Sequence, residues 1–163
     1  MKPGGQRAKG NTFERWVAAA INKAFGLTGE AAAHRGLSQT RGGGAEVSDV
    51  VFPGWPLHIE AKHSKADTVR TAIRQATADL HQRRSFDVIP VAVVRKHGTS
   101  IPVVGLYARD ASVLLNAAHG LGPRSLTTGV LGLDRAEFPR GDDHPLVTLT
   151  WPDFLALLLR VKP

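Results

Sequence analysis

The chain has 163 residues, no cysteine, and 21 Lys plus Arg against 14 Asp plus Glu, which gives a formal charge of +7. This length suits one compact domain with its own core, and the lack of cysteine excludes disulfides and thiolate metal ligands. The excess of positive charge favours a polyanionic partner, with nucleic acid as the leading candidate and general solubility as the alternative.

The N-terminal residues predict a basic arm followed by a helix. Residues 1 to 10 carry Lys2, Arg7 and Lys9 among glycines, which indicates a flexible arm that touches phosphates or a frayed terminus. Asn11 or Thr12 is the predicted N-cap. Apolar residues then recur at helical spacing as far as Gly26: Phe13, Trp16, Val17, Ala20, Ile21 and Ala24.

Residues 27 to 46 are mostly small and polar, and they include three consecutive glycines together with Arg35 and Arg41. This composition predicts a mobile loop that closes over a phosphodiester backbone or simply connects two elements. No Gly-Lys-Ser/Thr follows the glycines, so we reject a Walker-type nucleotide site.

The stretch from Ser48 to His63 predicts a β-hairpin, because two β-rich runs flank Pro53-Gly54, a pair that suits a type II turn. Pairing of Phe52 with Trp55 would place Asp49 opposite His58. Side-chain alternation then directs one set of residues to the core: Val50, Phe52, Trp55, Leu57, Ile59 and Ala61. The other face carries Asp49, Val51, His58, Glu60 and Lys62.

This second face brings two carboxylates together beside an ammonium group. Oxygen ligands suit a hard divalent cation that keeps open positions for water and phosphate, a layout typical of metal-dependent phosphodiesterases. The alternative is a half-buried strand with a charged solvent face. A metal site or a general base that uses His58 or His63 is a further alternative.

The remaining elements alternate between helices and strands. Asp67 or Thr68 opens a predicted helix with an apolar stripe of Val69, Ala72, Ile73, Ala76 and Leu80, and solvent is the simpler position for Gln75. We predict strands over 88–94 and 101–107, a helix over 111–118, a surface excursion over 119–145, a strand over 146–150 and a helix from Pro152. The apolar C-terminal segment packs either in the core or against a second copy of the chain.

This order predicts a single α/β or α+β domain around a mixed sheet, over residues 11–163, with the functional motifs in 11–96. No apolar run approaches the length of a membrane span, and the N-terminus lacks the apolar core of a signal peptide. We therefore expect a soluble, cytoplasmic protein with no membrane partner.

Several of these motifs, in this order, resemble the PD-(D/E)xK nuclease superfamily and, within it, the archaeal-type Holliday-junction resolvases. They are Lys9-Gly10-Asn11-Thr12-Phe13-Glu14-Arg15, the glycine-rich loop, Ser48-Asp49-Val50-Val51, Ile59-Glu60-Ala61-Lys62, Gln75 and Pro90-Val91-Ala92-Val93. The resemblance covers roughly residues 9 to 96, and residues 146–158 only loosely. Ser48 stands where the family motif has Pro, and residues 107–145 have no counterpart.

The resemblance implies a restriction-endonuclease-like core with the order αβββαβ and a Mg²⁺-dependent endonuclease, with Mn²⁺ as a substitute. Such an enzyme would resolve four-way DNA junctions as a homodimer, because paired cuts need two sites. The resemblance further implies that Asp49, Glu60 and the carbonyl of Ala61 bind the metal and that Glu14 completes the acidic cluster. Lys62 would activate water or stabilise the phosphate, and Gln75 would position the site.

DNA contacts would come from Lys9, Arg15, Arg35, Arg41, Gly43 and Lys65. Two alternatives remain open. One is a nuclease of the same superfamily with another DNA substrate, such as a restriction-type, flap or nicking enzyme. The other is a non-catalytic basic DNA-binding protein.

Overall fold

The computed structural model describes residues 4–36, 48–85, 87–120 and 145–161. Its helices and strands are, in chain order, α1 (Gly4–Phe25), β1 (His34–Arg35), β2 (Val50–Val51), β3 (Leu57–His63), α2 (Val69–Gln82), β4 (Ile89–Arg95), β5 (Val103–Tyr107), α3 (Ala108–Ala118), β6 (Leu146–Thr150) and α4 (Trp151–Leu158). A turn of 3-10 helix, Gly29–Ala31, precedes β1. The predicted α/β class is confirmed, and the elements from α1 to β4 follow the order αβββαβ.

The six strands form one sheet in the order β1-β2-β3-β4-β5-β6. Neighbouring strands are antiparallel except β3 and β4, which run parallel from the pair Leu57↔Ile89 to the pair His63↔Arg95. Helix α2 makes the crossover that a parallel pair requires. The sheet is therefore mixed, and β3 and β4 lie at its centre.

The two faces of the sheet are covered differently. The main core includes residues of α1, α3 and α4 and buries Phe13, Ile21, Leu114 and Phe154 together with alternate residues of the strands. Helix α2 covers the other face with a small apolar cluster: Ala72, Ile73, Ala92 and Val94, joined by Val69, Tyr107 and Leu146. On β3 that same face carries polar side chains, so a polar stripe lies beside α2.

The N-terminus differs from the sequence prediction. Helix α1 begins at Gly4, not at Asn11 or Thr12, so it includes residues 4–10 of the predicted arm. Once a helix has formed, each added residue gains a hydrogen bond, and a glycine costs only about 1 kcal/mol relative to alanine. The predicted end at Gly26 and the predicted N-cap of α2 at Thr68 are confirmed.

The hairpin has the predicted turn but a different register. The N–H of Trp55 donates to the carbonyl of Phe52 at 3.1 Å, and Gly54 has a φ of +78°, as a type II turn requires. Strand pairing, however, begins at Val50↔Ile59, two positions from the predicted register. Pro56 has no N–H to donate to a ladder, which keeps the turn region out of the strands.

A shift of two residues preserves the alternation of side chains. The core face of the hairpin is accordingly the predicted one, with Trp55 partly buried and five residues buried: Val50, Phe52, Leu57, Ile59 and Ala61. The same shift places Asp49 opposite Glu60 instead of His58 when the register is continued by one residue. The two acids therefore lie closer together than the predicted hairpin allowed.

The elements after α2 begin within three residues of their predicted positions. In the C-terminal segment, Phe154, Leu158 and Val161 are buried in the chain's own core, whereas Leu159 is exposed. Burial in the chain's own core thus explains the apolar character of the C-terminal segment, and packing against a second copy of the chain is not needed to explain it. The predicted excursion falls largely on residues 121–144, outside the described part. Among the described helices, none combines the length and apolarity needed to cross a membrane.

Gly105 on β5 lies in close contact with the first turn of α2. A Cβ atom at this position would stand 1.9 Å from Cγ1 of Val69. We expect Gly105→Ala to lower the free energy of unfolding by about 1–3 kcal/mol, because α2 or β5 must shift to admit the methyl group. Urea unfolding measures this loss.

Val69→Ala removes the clashing methyl groups and provides the matched control. The double variant Gly105→Ala/Val69→Ala should therefore be more stable than the sum of the two single losses implies. Simple additivity of the two losses would contradict the close approach of β5 to α2.

Candidate functional site

Asp49 directly precedes β2, and Glu60 lies on the neighbouring strand β3. Oδ2 of Asp49 accepts a hydrogen bond from the N–H of Ala61 at 3.0 Å, which fixes this carboxylate beside β3. In an antiparallel pair, the N–H and C=O of one residue point to the same neighbouring strand. The carbonyl of Ala61 therefore also points to the β2 side of β3.

Glu60 and Lys62 are two residues apart on β3, so their side chains share a face. Glu60 is only 2% exposed, and its Oε1 forms an ion pair with Nζ of Lys62, whose side chain is 26% exposed. The ammonium group thus lies between a buried carboxylate and the surface. This is the position from which a lysine can meet a phosphate that approaches from solvent.

The carboxyl groups in this cluster are costly to ionise. Burial, followed by the charge of Asp49, raises the pKa of Glu60 to about 7, although Lys62 opposes the shift. Burial also raises the pKa of Asp49, together with the charge of Glu14 and against the hydrogen bond from Ala61 and the charge of Lys62.

Lys62 responds in the opposite sense to its surroundings. Burial alone would lower its pKa, but the hydrogen bond to Glu60 and the charges of Glu60, Asp49 and Asp67 together raise it. Lys62 therefore stays an ammonium group. Asp49 and Glu60 thus lie beside this one ammonium group, and an added cation would favour the ionised form of both carboxyl groups.

Glu14 approaches the cluster from α1 and is held there by Arg35 of β1. Nε of Arg35 forms an ion pair with Oε2 of Glu14, and Nη2 of Arg35 donates to Oδ1 of Asn11 at 2.9 Å. Asn11 lies one helical turn before Glu14, so a single guanidinium group spans both. Arg35, predicted as a DNA contact, is therefore engaged with α1 in this structure.

The other predicted site residues are spread over the surface or fall outside the described part. Gln75 is exposed on the flank of α2, the position that the apolar pattern favoured. Arg15 and Lys65 are also exposed. Arg41, Gly43 and the side chain of Lys9 lie outside the described residues.

A second group of ligand-type side chains lies on the α2 side of Glu60. His58, Glu60 and Asp79 are all buried, and each offers a ligand atom within 4.8 Å of the others. Nε2 of His58 stands 3.8 Å from Oδ2 of Asp79. Burial, then the charge of Arg83, lowers the pKa of His58 to about 4, which leaves a neutral imidazole able to bind metal. This group could hold a metal ion.

Asp79 is the residue that sequence reasoning missed. It follows Ala72 by seven positions and Ala76 by three, so it falls on the apolar stripe of α2, where it is 8% exposed. A carboxylate on a buried helical stripe was the available signal. His58 appeared in the sequence analysis only as an alternative ligand.

Comparisons of the chain with protein-family models, with curated proteins and with solved structures find no match. The function is therefore inferred from the chain's own residues, chiefly from Asp49, Glu60 and Lys62.

Proposed function

We propose that the chain is a Mg²⁺-dependent endonuclease of the PD-(D/E)xK type that cuts branched DNA. The observation that carries the proposal is the convergence of Asp49, which directly precedes β2, with Glu60 and Lys62 on β3, where the N–H of Ala61 donates a hydrogen bond to Asp49. Carboxylate and carbonyl oxygens are the donors that Mg²⁺ prefers, and an ammonium group beside them suits an anionic substrate.

The donor set fits a hard divalent cation. Asp49, Glu60 and the carbonyl of Ala61 would hold the ion, with Glu14 completing the acidic wall. When bound, such an ion polarises a phosphodiester and makes water a better nucleophile near neutral pH. Lys62 would stabilise the extra negative charge that develops on the phosphate during in-line attack. Burial of Glu60 excludes bulk water, which strengthens each of these interactions.

Arg35 acts in this proposal as a positioning residue. Its bonds to Glu14 and Asn11 hold the Glu14 carboxylate near Asp49, and Glu14 influences the charge state of Asp49. Gln75, exposed in the structure, would have to act through substrate contact.

The proposed substrate is a four-way DNA junction. The charge of +7 supplies the attraction to phosphates, and the exposed side chains of Arg15 and Lys65 would contribute to it. A junction presents two scissile phosphates related by two-fold symmetry, whereas one chain carries one Asp49–Glu60–Lys62 cluster. Paired cuts are therefore most simply made by a homodimer.

One experiment tests the activity and the substrate together. Labelled four-way junction, linear duplex, flap and single-stranded DNA are incubated with the protein, with and without Mg²⁺. We expect Mg²⁺-dependent cleavage at the junction branch. Cutting of linear duplex at a sequence, or of flaps, would favour a nuclease with another substrate, and metal-independent binding without cleavage would favour a DNA-binding protein.

Analytical ultracentrifugation tests the assembly. We expect a dimer in the presence of junction DNA. Monomer alone, with and without junction, would exclude the paired-cut mechanism and leave a nicking or single-site nuclease.

Lys65 and Arg35 should contribute differently to DNA affinity. We expect Lys65→Ala to reduce the slope of log affinity against log salt by about one, because an exposed ammonium group neutralises one phosphate. Arg35→Ala should change that slope less, since its guanidinium is engaged with Glu14 and Asn11. Fluorescence anisotropy with labelled junction over a salt series measures both slopes. Equal losses would mean that Arg35 leaves Glu14 to contact DNA.

A further inference from the structure

A polar seam runs between β3 and α2, on the face of the sheet that is otherwise packed with small apolar residues. His58 and Glu60 contribute to it from β3, and Asp79 contributes from α2, with exposures of 3%, 2% and 8%. Charged groups are rarely buried this completely unless they are paired or bind a metal. Glu60 is paired with Lys62, and one imidazole with two carboxylates is in addition a donor set that binds metal ions.

His58 provides a second, independent sign of a ligand. Its Nε2 atom is buried and has no hydrogen-bond partner among the described residues. Oδ2 of Asp79 lies 3.8 Å from this Nε2 atom, which is too far for a hydrogen bond. Buried nitrogen atoms are almost always satisfied, so an unsatisfied one that faces two carboxylates calls for an explanation. A cation bound among the three groups supplies one.

We propose that His58, Glu60 and Asp79 bind a divalent transition-metal ion that ties α2 to β3. One imidazole nitrogen and two carboxylate oxygens favour an ion of the Zn²⁺ class over Mg²⁺, which takes oxygen ligands and water. The ligand atoms already lie within 4.8 Å of one another. Side-chain rotation must bring them to bond lengths of about 2.0–2.2 Å from a shared centre.

This site is distinct from the proposed catalytic site, although the two share Glu60. The Mg²⁺ ligands proposed above lie toward β2, whereas His58 and Asp79 lie toward α2. Binding here does not depend on nuclease activity. The two proposals can therefore fail separately.

Titration of metal-free protein with Zn²⁺, followed by calorimetry, tests the site. We expect one tightly bound equivalent in the wild type and at least about tenfold weaker binding in His58→Gln and in Asp79→Asn. Co²⁺ in place of Zn²⁺ should develop visible absorption in the wild type and lose it in both variants. Circular dichroism in the presence of chelator checks that each variant is folded.

Two further variants locate the ion. His63 and His97 form a ring contact at 5.0 Å and could bind Zn²⁺ nearer the surface, so His97→Ala is the first control. We expect it to bind like the wild type. Asp49→Asn is the second control and should weaken Zn²⁺ binding less than Asp79→Asn does.

The outcomes that would overturn the proposal are specific. Binding that survives in Asp79→Asn but is lost in His97→Ala would place the ion at the surface pair. Binding weakened as much by Asp49→Asn as by Asp79→Asn would place it in the Asp49 cluster. Absence of Zn²⁺ binding by the wild type, with no rise in its melting temperature, would exclude the site altogether.

Discussion

Asp49→Asn and Glu60→Gln are each expected to lower the rate of Mg²⁺-dependent cleavage by about a thousandfold while leaving DNA affinity nearly unchanged. Each substitution removes a negative oxygen ligand, and the electrostatic contribution of a bound metal is worth several kcal/mol, or about three powers of ten. The side-chain amide in Asp49→Asn keeps an oxygen that can accept the hydrogen bond from the N–H of Ala61. The local backbone conformation should therefore be preserved.

Single-turnover cleavage of labelled junction measures the rates, and anisotropy in Ca²⁺ measures binding. Glu30→Gln is the matched control, because it removes an exposed carboxylate of the 3-10 turn, which has no part in the proposed site. Cleavage by Asp49→Asn or Glu60→Gln at a rate near that of the wild type would mean that the metal binds elsewhere.

The residues on the two faces of the hairpin were predictable from the sequence because backbone geometry enforces their alternation. Val50, Ile59 and Ala61 face the core whichever even register the strands adopt. The register itself was not predictable from the turn. Pro56, which has no N–H to donate to the ladder, keeps the turn region out of the strands and moves the first pair to Val50↔Ile59.

Two features of the site depend on contacts between segments that have no local pattern. Arg35 meets Glu14 across 21 residues through a strand of only two residues, too short to show alternation. Asp79 faces His58 only because α2 crosses β3 with that side inward. Helical spacing predicts which residues share a face, but not what lies opposite that face.

Burial of Glu60 links the proposed activity to the stability of the fold. The ordinary pKa of 4.5 rises to about 7 in the folded chain, mainly through burial and then through the charge of Asp49. A carboxyl with a raised folded pKa binds its proton more tightly when folded, so its contribution to stability is present at low pH. That contribution is lost as pH rises through about 7. The fold therefore keeps an ionised Glu60 at a cost, and a divalent cation would offset that cost.

His58 has the opposite effect over nearly the same range of pH. Its pKa falls from 6.5 to about 4, chiefly through burial and then through Arg83. Between pH 6.5 and about 4, His58 therefore binds a proton in the unfolded chain but not in the folded chain. The free energy of unfolding consequently falls as pH drops through 6.5. The contributions of Glu60 and His58 largely cancel between pH 4.5 and 6.5. A wild-type stability curve would thus conceal both.

Glu60→Gln should separate the two effects. Without divalent cations, we expect the free energy of unfolding of Glu60→Gln, relative to that of the wild type, to increase by about 3 kcal/mol as pH rises from 4.5 to about 7. Above pH 7 this difference should stay constant. Urea unfolding of both proteins at matched pH gives this difference. The contribution of His58 to the free energy of unfolding is present in both proteins and therefore cancels. Glu30→Gln measures the background effect of deleting a negative charge. A Glu60→Gln difference that does not change with pH would show that the carboxyl is solvated, and that the buried cluster proposed to bind metal does not exist in solution.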